Sequence, residues 1–202
     1  MRREELIVQA TRELFDERGL RDAPMDEIAG KVGINKALIY RHFSSQEELF
    51  VQTVTLYLAE LAGLLRAADD QRGTATERLR RVSEVHAEYC IAHPAYSDCA
   101  LSLLRRPAEE LRELVSDAVW IRLAQGMADC LGIVARILAE LGVADPDLTA
   151  NLLYTQALGM MQLARLGVGV RESAPGVPGA FGVDPAVVRD ACVKSALAFV
   201  GA

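Results

Sequence analysis

The sequence predicts an all-α protein: an N-terminal three-helix, helix-turn-helix domain followed by a larger C-terminal helical bundle, with about nine helices in total. Three observations carry this. Apolar residues recur at helical rather than alternating spacing through 3–18, 46–69 and 76–93. No proline interrupts 108–141, and Pro94, Pro107 and Pro146 stand where helices would start. Between Met25 and Phe43, two short amphipathic stretches flank a glycine-containing turn, the order of a DNA-reading helix-turn-helix.

The first helix, 3–18, places Leu6, Ile7, Ala10, Leu14 and Phe15 on one face, and Gly19 is its expected stop. Its charged residues fall on the other face, with Arg2 and Arg3 within reach of a phosphate. The second helix carries Ile28 and Ala29, the small residue that lets two crossing backbones approach. Gly33 permits the positive φ that ends it. Asn35 then caps a third helix beginning at Lys36, its side-chain oxygen accepting an otherwise unpaired backbone N–H. Ile28, Val32, Ile34 and Ile39 share one small core, which leaves Lys36, Ala37, Tyr40 and Arg41 facing outward on a helix narrow enough for a major groove.

Ser44 or Ser45 reads as the cap of a fourth helix, 46–69, with Glu47 and Glu48 in the first turn, where the helix dipole favours negative charge. Leu49, Phe50 and Val54 belong with the helix-turn-helix, whereas Leu58, Leu61 and Leu65 continue into the remainder. Two domains are therefore expected, 1–52 and 53–202, sharing one helix. After a polar turn at 69–74, a helix over 76–93 aligns Leu79, Val82, Val85, His86, Tyr89 and Cys90. A short helix follows over 95–104, and 108–141 reads as a single long helix, with Gly126 or Gly132 as bends and Gly142 as its end. Residues 147–167 and 185–200 form helices with so few charges that one chain cannot easily cover them, and a second copy can. Between them, 168–184 is rich in Gly and Pro, lacks a helical period, and reads as a long surface loop.

Residues 7–54, with IVQATRELFDERGL, then MDEIAGKVGINKALIYRHF, then SSQEELFVQTV, resemble the amino-terminal domain of the TetR/AcrR family of one-component transcriptional regulators. The element from Phe15 to Gly19, the Ile28-Ala29 pair, Gly33, the Tyr40-x-His42-Phe43 run and the Glu48-Leu49 pair carry the resemblance. Two positions depart from the family pattern. Ala23-Pro24 stands where a Thr or Ser usually opens the first motif helix, and Gln46 stands where a Lys is common; each removes one expected phosphate contact.

The resemblance implies a regulator that binds a palindromic operator as a homodimer, by default a repressor released by a small effector, although members of the family that activate also exist. Residues 147–167 and 185–200 would pair across a two-fold axis, placing two recognition helices about 34 Å apart. Double-stranded DNA would meet Asn35, Lys36, Ala37, Leu38, Tyr40, Arg41 and His42: Lys36 at a base or phosphate, Tyr40 at a phosphate, Ala37 and Leu38 at a thymine methyl. Helical bundles hold ligands in mostly apolar chambers with a few polar groups. The expected liners are His86, Tyr89, Cys90, Tyr96, Trp120, Met127, Cys130, Tyr154 and Met160, and the expected effector is largely lipophilic.

Composition bounds the alternatives. A net charge of −6 argues against a non-specific nucleic-acid coat, and within 1–52 acidic residues slightly outnumber basic ones, so DNA binding depends on where the cations point. No stretch of eighteen uncharged apolar residues exists and the amino terminus lacks a signal-type apolar core, so no membrane association and a cytoplasmic location are expected. Cys90, Cys99, Cys130 and Cys192 lack metal or redox spacing, and neither a metal nor another cofactor is expected. An enzyme is the main rival class. His86, Glu88 and His93 invite a carboxylate-bridged metal, but the Glu84-x-His86 and His86-x-Glu88 spacings point those groups to different faces, whereas that chemistry needs Glu-x-x-His pairs. The other rival is a helical dimer acting through protein partners.

Overall fold

The computed structural model describes residues 2–18 and 23–201. Among these are ten helices and one two-stranded sheet: α1 (Arg3–Arg18), α2 (Met25–Val32), α3 (Lys36–His42), α4 (Gln46–Ala68), α5 (Ala75–Ala92), α6 (Pro94–Leu104), α7 (Ala108–Leu114), α8 (Asp117–Glu140), α9 (Pro146–Leu166), β1 (Val168–Ala174), β2 (Val177–Gly182) and α10 (Pro185–Phe199). The expected stop at Gly19 lies outside the described residues. The fold is all-α in its architecture, as the helical periodicity predicts.

The chain forms two compact units, Met1–Glu60 with His93–Ala128, and Leu61–Ala92 with Asp129–Ala202. In the first, Ile7, Leu14, Ile28, Ile39, Phe43 and Leu49 are buried together with Tyr57 and Tyr96. Tyr57 donates from its hydroxyl to Asp16 Oδ1 at 2.7 Å, while the Arg12 guanidinium lies 4.5 Å from the centre of its ring. A buried phenol thus keeps a polar partner at its tip. A Cβ at Gly126 would come within 3.2 Å of Leu58 Cβ, so the glycine lets the two helix backbones lie close.

The single long helix expected over 108–141 is two helices. Val115 is extended, with φ −131° and ψ 157°, and Ser116 opens α8 by accepting Val119 N–H at 3.0 Å and Trp120 N–H at 2.9 Å on its carbonyl. The Ser116 hydroxyl donates to Glu48 Oε1 at 2.7 Å. Apolar periodicity continues through the break, which hides it from pattern alone, but Ser116-Asp117 is a helix-start pair.

Glu48 is itself nearly buried. Burial pushes its carboxyl up, but donors from Ser44 and Ser116 outweigh that and leave it below its ordinary value. A depressed carboxyl stabilises the fold above its unfolded pKa, and that contribution is lost as pH falls through the folded one. Glu48→Gln is expected to cost about 1–2 kcal/mol at neutral pH. The difference from wild type should shrink below about pH 4 in urea unfolding.

In the second unit, α10 packs on α5 and α9, and α5 also meets α9. Leu61, Leu65, Leu79, Val82, Ile133, Ile137, Leu158 and Val193 fill the core. Arg78, almost wholly buried, donates to Asp69 Oδ1 at 2.6 Å and to both oxygens of Glu140 at 2.6 and 3.2 Å. The expected loop at 168–184 is instead an antiparallel hairpin, with Val168 opposite Gly182 and Val170 opposite Ala180. Its turn passes through Gly176 at φ 73°. The Phe181 ring covers Gly169 so closely that a Cβ there would lie 2.3 Å from it. Pro178 is tolerated because both strands of a two-stranded ribbon are edges.

Helices α4 and α8 are each long and apolar enough to cross a membrane by length and composition. Core packing accounts for much of this in α4, where Val51, Tyr57, Leu58 and Leu61 are buried; α8 buries Val119, Ile133 and Ile137 but leaves Ile121 exposed.

Candidate functional site

The helix-turn-helix is built as its residue types require. Gly33 takes φ 73°, ψ 35° at the end of α2, and Ile34 N–H reaches back to Ala29 O at 2.9 Å, closing the helix in a left-handed cap. Asn35 is extended, and its Oδ1 accepts Leu38 N–H at 2.9 Å. Pro24 precedes α2 without a side-chain cap, so that end offers no hydroxyl. Helix α3 has only seven residues, too short to persist without its cap and its packing. Asn35→Ala is expected to cost about 1 kcal/mol in urea unfolding, with Asn35→Ser restoring most of it.

Ile39 and Phe43 pin α3 from beneath, both nearly without exposure. Lys36, Ala37, Tyr40 and Arg41 are exposed, and Leu38 and His42 are half-buried. Tyr40 keeps 47% of its surface open, unusual for a large aromatic in so small a unit. The outward face is not purely cationic. Lys36 Nζ donates to Asp26 Oδ2 at 3.0 Å across α2 and α3, and His42 Nδ1 lies 3.3 Å from Glu4 Oε1. Lys31 sits between Glu13 and Glu17 at 3.1 and 2.9 Å, and Arg18 pairs with Glu27. These acids hold the cations in place, and a phosphate would have to compete with them. The Asp26 partner of Lys36 is not evident from helical periodicity, although both residues are charged and flank the turn.

The second unit contains an apolar cavity of about 60 Å³. Of the expected liners, His86, Cys130 and Tyr154 are in its wall. The His86 and Tyr154 rings lie 5.8 Å apart, tilted by 47°, and Cys90 Sγ is 3.8 Å from His86 Nε2. His86 retains some surface because it faces this cavity, yet removal from bulk water pulls its pKa down to about 4. It is a neutral imidazole at physiological pH. Burial likewise pushes the Cys130 thiol up to about 12 and the Cys192 thiol up to about 11.

The remaining expected liners lie elsewhere. Tyr89, Cys90 and Met160 belong to the same unit but not to this wall, with Tyr89 and Cys90 buried. Tyr96, Trp120 and Met127 belong to the other unit; the Tyr96 ring lies tilted beside that of Tyr57, ring centres 6.0 Å apart. The wall also contains Ser83, Gln156 and Cys192, which the reading missed. Ser83 lies one turn before His86 on α5, so the helical period that selected His86 would have found it.

Helix α9 leaves an apolar stripe in the open, and α10 leaves two separate apolar residues. Leu148, Leu152, Leu163 and Leu166 on α9 are exposed, as are Val187 and Phe199 on α10. On α9 their spacing follows one face of a helix. Gln156 Nε2 donates to Ser195 Oγ at 2.8 Å and ties the two helices together. Among the described residues, no group of three or more His, Cys, Asp or Glu side chains is placed to hold a metal ion.

The family model described as bacterial regulatory proteins, tetR family, matches residues 7–53. The HTH-type transcriptional repressor KstR2 of Mycobacterium tuberculosis is 30% identical over 161 residues, 76% of this chain and 74% of that protein. The HTH-type transcriptional activator FasR of Mycolicibacterium smegmatis is 34% identical over 88 residues, 44% of this chain but only 40% of that protein. The transcriptional regulator FadR of Bacillus subtilis, solved in complex with stearoyl-CoA, is similar in fold with a TM-score of 0.68 at 16% identity, covering 96% of this chain and 97% of that one.

Proposed function

This chain belongs to the TetR family of bacterial regulatory proteins, a transcriptional regulator and not an enzyme, and from that premise we propose that it represses as a dimer on a palindromic operator and is released by a small, largely lipophilic effector. The observation that carries the DNA reading is the capped α3 helix, which buries Ile39 and Phe43 while offering Lys36, Ala37, Tyr40 and Arg41. In this reading Lys36 reaches a base or phosphate, Tyr40 a phosphate, Arg41 and His42 the backbone, and Ala37 and Leu38 a thymine methyl, with Asn35 fixing the helix start. The protein works in the cytoplasm, where its DNA is.

The division of labour falls near residue 52, within α4. That helix begins at Gln46, just after α3, and brings Leu61 and Leu65 to the cavity wall. The effector binds beside His86, Cys130 and Tyr154, shifts α4, and so changes the spacing of the two recognition helices. A coupling of roughly 1–3 kcal/mol between the sites would suffice. The dimer pairs 147–167 and 185–200, whose exposed apolar residues need a cover. KstR2 is named a repressor and FasR an activator, and repression is the reading adopted because effector release needs no further partner.

Tyr40→Ala tests the assignment. It is expected to weaken operator and random duplex alike by roughly tenfold, as loss of a phosphate contact should. A loss confined to one base pair of the operator would show that Tyr40 reads sequence instead.

A further inference from the structure

Among the described residues, the wall of the effector cavity carries no charged side chain. Its polar groups are Ser83, His86, Tyr154 and Gln156, with the Cys130 and Cys192 thiols beside them. The imidazole and both thiols are uncharged at neutral pH, for the burial reasons given above. The charges next to lining residues have partners of their own: Arg66, beside Leu65, and Asp129, beside Cys130, pair with each other at 4.0 Å and are substantially exposed. Arg81, beside Val82, pairs with Asp70 at 2.9 Å, and Glu84, beside Ser83, acts on Arg189. Arg189 on α10 pairs with Glu88 and Asp190 at 3.4 and 2.8 Å. An anionic headgroup placed in this cavity would lose its water and gain no cation, which is strongly unfavourable. A cationic one would meet no carboxylate. Hydroxyl, amide and imidazole groups, by contrast, can satisfy a neutral oxygen.

We infer that the effector is an uncharged lipophile bearing a hydroxyl or carbonyl group, which excludes free carboxylates and phosphate-bearing thioesters as the bound species. The inference rests on the reading of this cavity as the effector site. Two ligands of equal chain length isolate the charge: 1-octanol and octanoate, titrated calorimetrically into the full-length protein. Octanol is expected to bind at least about tenfold more tightly than octanoate near pH 7.5, because only the rare protonated acid fits. Between about pH 6 and about pH 8, octanoate affinity should fall roughly tenfold per pH unit while octanol affinity stays level.

Site assignment comes from cavity-filling variants. Ala157→Met or Val134→Phe, whichever keeps the wild-type circular dichroism, should abolish octanol binding. Binding of octanoate as tight as that of octanol, independent of pH, would overturn the uncharged class and leave the effector site standing. Binding of neither ligand, or octanol binding untouched by the filled cavity, would overturn the site reading itself.

Discussion

Replacing Arg78 with methionine is expected to cost about 3–5 kcal/mol of folding stability, the usual consequence of removing one partner from a buried ion pair. The Arg78 side chain is only 5% exposed and Asp69 3%. Without the guanidinium, Asp69 keeps only Gln71 Nε2 at 3.3 Å and Arg136 at 3.9 Å, and Glu140 loses both of its donors. The arrangement ties the end of α4 to the start of α5 and the end of α8, so the loss should appear as a lowered urea midpoint for the Leu61–Ala92 and Asp129–Ala202 unit. The double variant Arg78→Met, Asp69→Leu should recover much of the loss, since an apolar pair of similar volume carries no stranded charge. No recovery would mean that packing of the Arg78 stem, rather than its charge, holds these helix ends.

Leu152→Glu should have the larger functional effect. Leu152 lies in the open stripe of α9 and is 47% exposed, so the substitution costs the single chain little. In a two-fold interface each residue meets its own symmetry-related surface, so one change introduces two carboxylates into apolar surroundings. The dimer dissociation constant should rise by at least about a hundredfold, roughly 3 kcal/mol. Operator affinity should fall with it, because one recognition helix reaches only half a site. Sedimentation equilibrium reads the first effect and operator titration the second. A dimer unaffected by this change would move the proposed interface off α9.

Much of the architecture was legible in the chain. The Gly33 cap, the Asn35 cap and the buried Ile39 follow from residue types whose backbone and packing demands are local, and all occur as read. What stayed hidden depended on tertiary context. The break at Val115 and Ser116 is held by a hydroxyl bonded to Glu48, far away in sequence. The 168–182 hairpin was masked because its strands contain Gly169, Gly179 and Pro178, which look like loop residues until Phe181 covers one and an edge position excuses another. The Pro175-Gly176 turn between two short valine-containing runs was the signal available. For the cavity, periodicity could place a residue on an inner face but could not separate a wall from solid core. His86 and Tyr154 therefore line it while Tyr96, chosen by the same rule, packs tilted against Tyr57.

The most direct test is binding of the purified protein to the intergenic DNA upstream of its own gene, footprinted and titrated with salt beside a random duplex. One protected, near-palindromic site is expected, with half-sites about one helical turn apart, preferred strongly over random sequence and weakened steeply by salt. Equal affinity for the two duplexes at every salt concentration, with no protected site there or at other promoters, would contradict it.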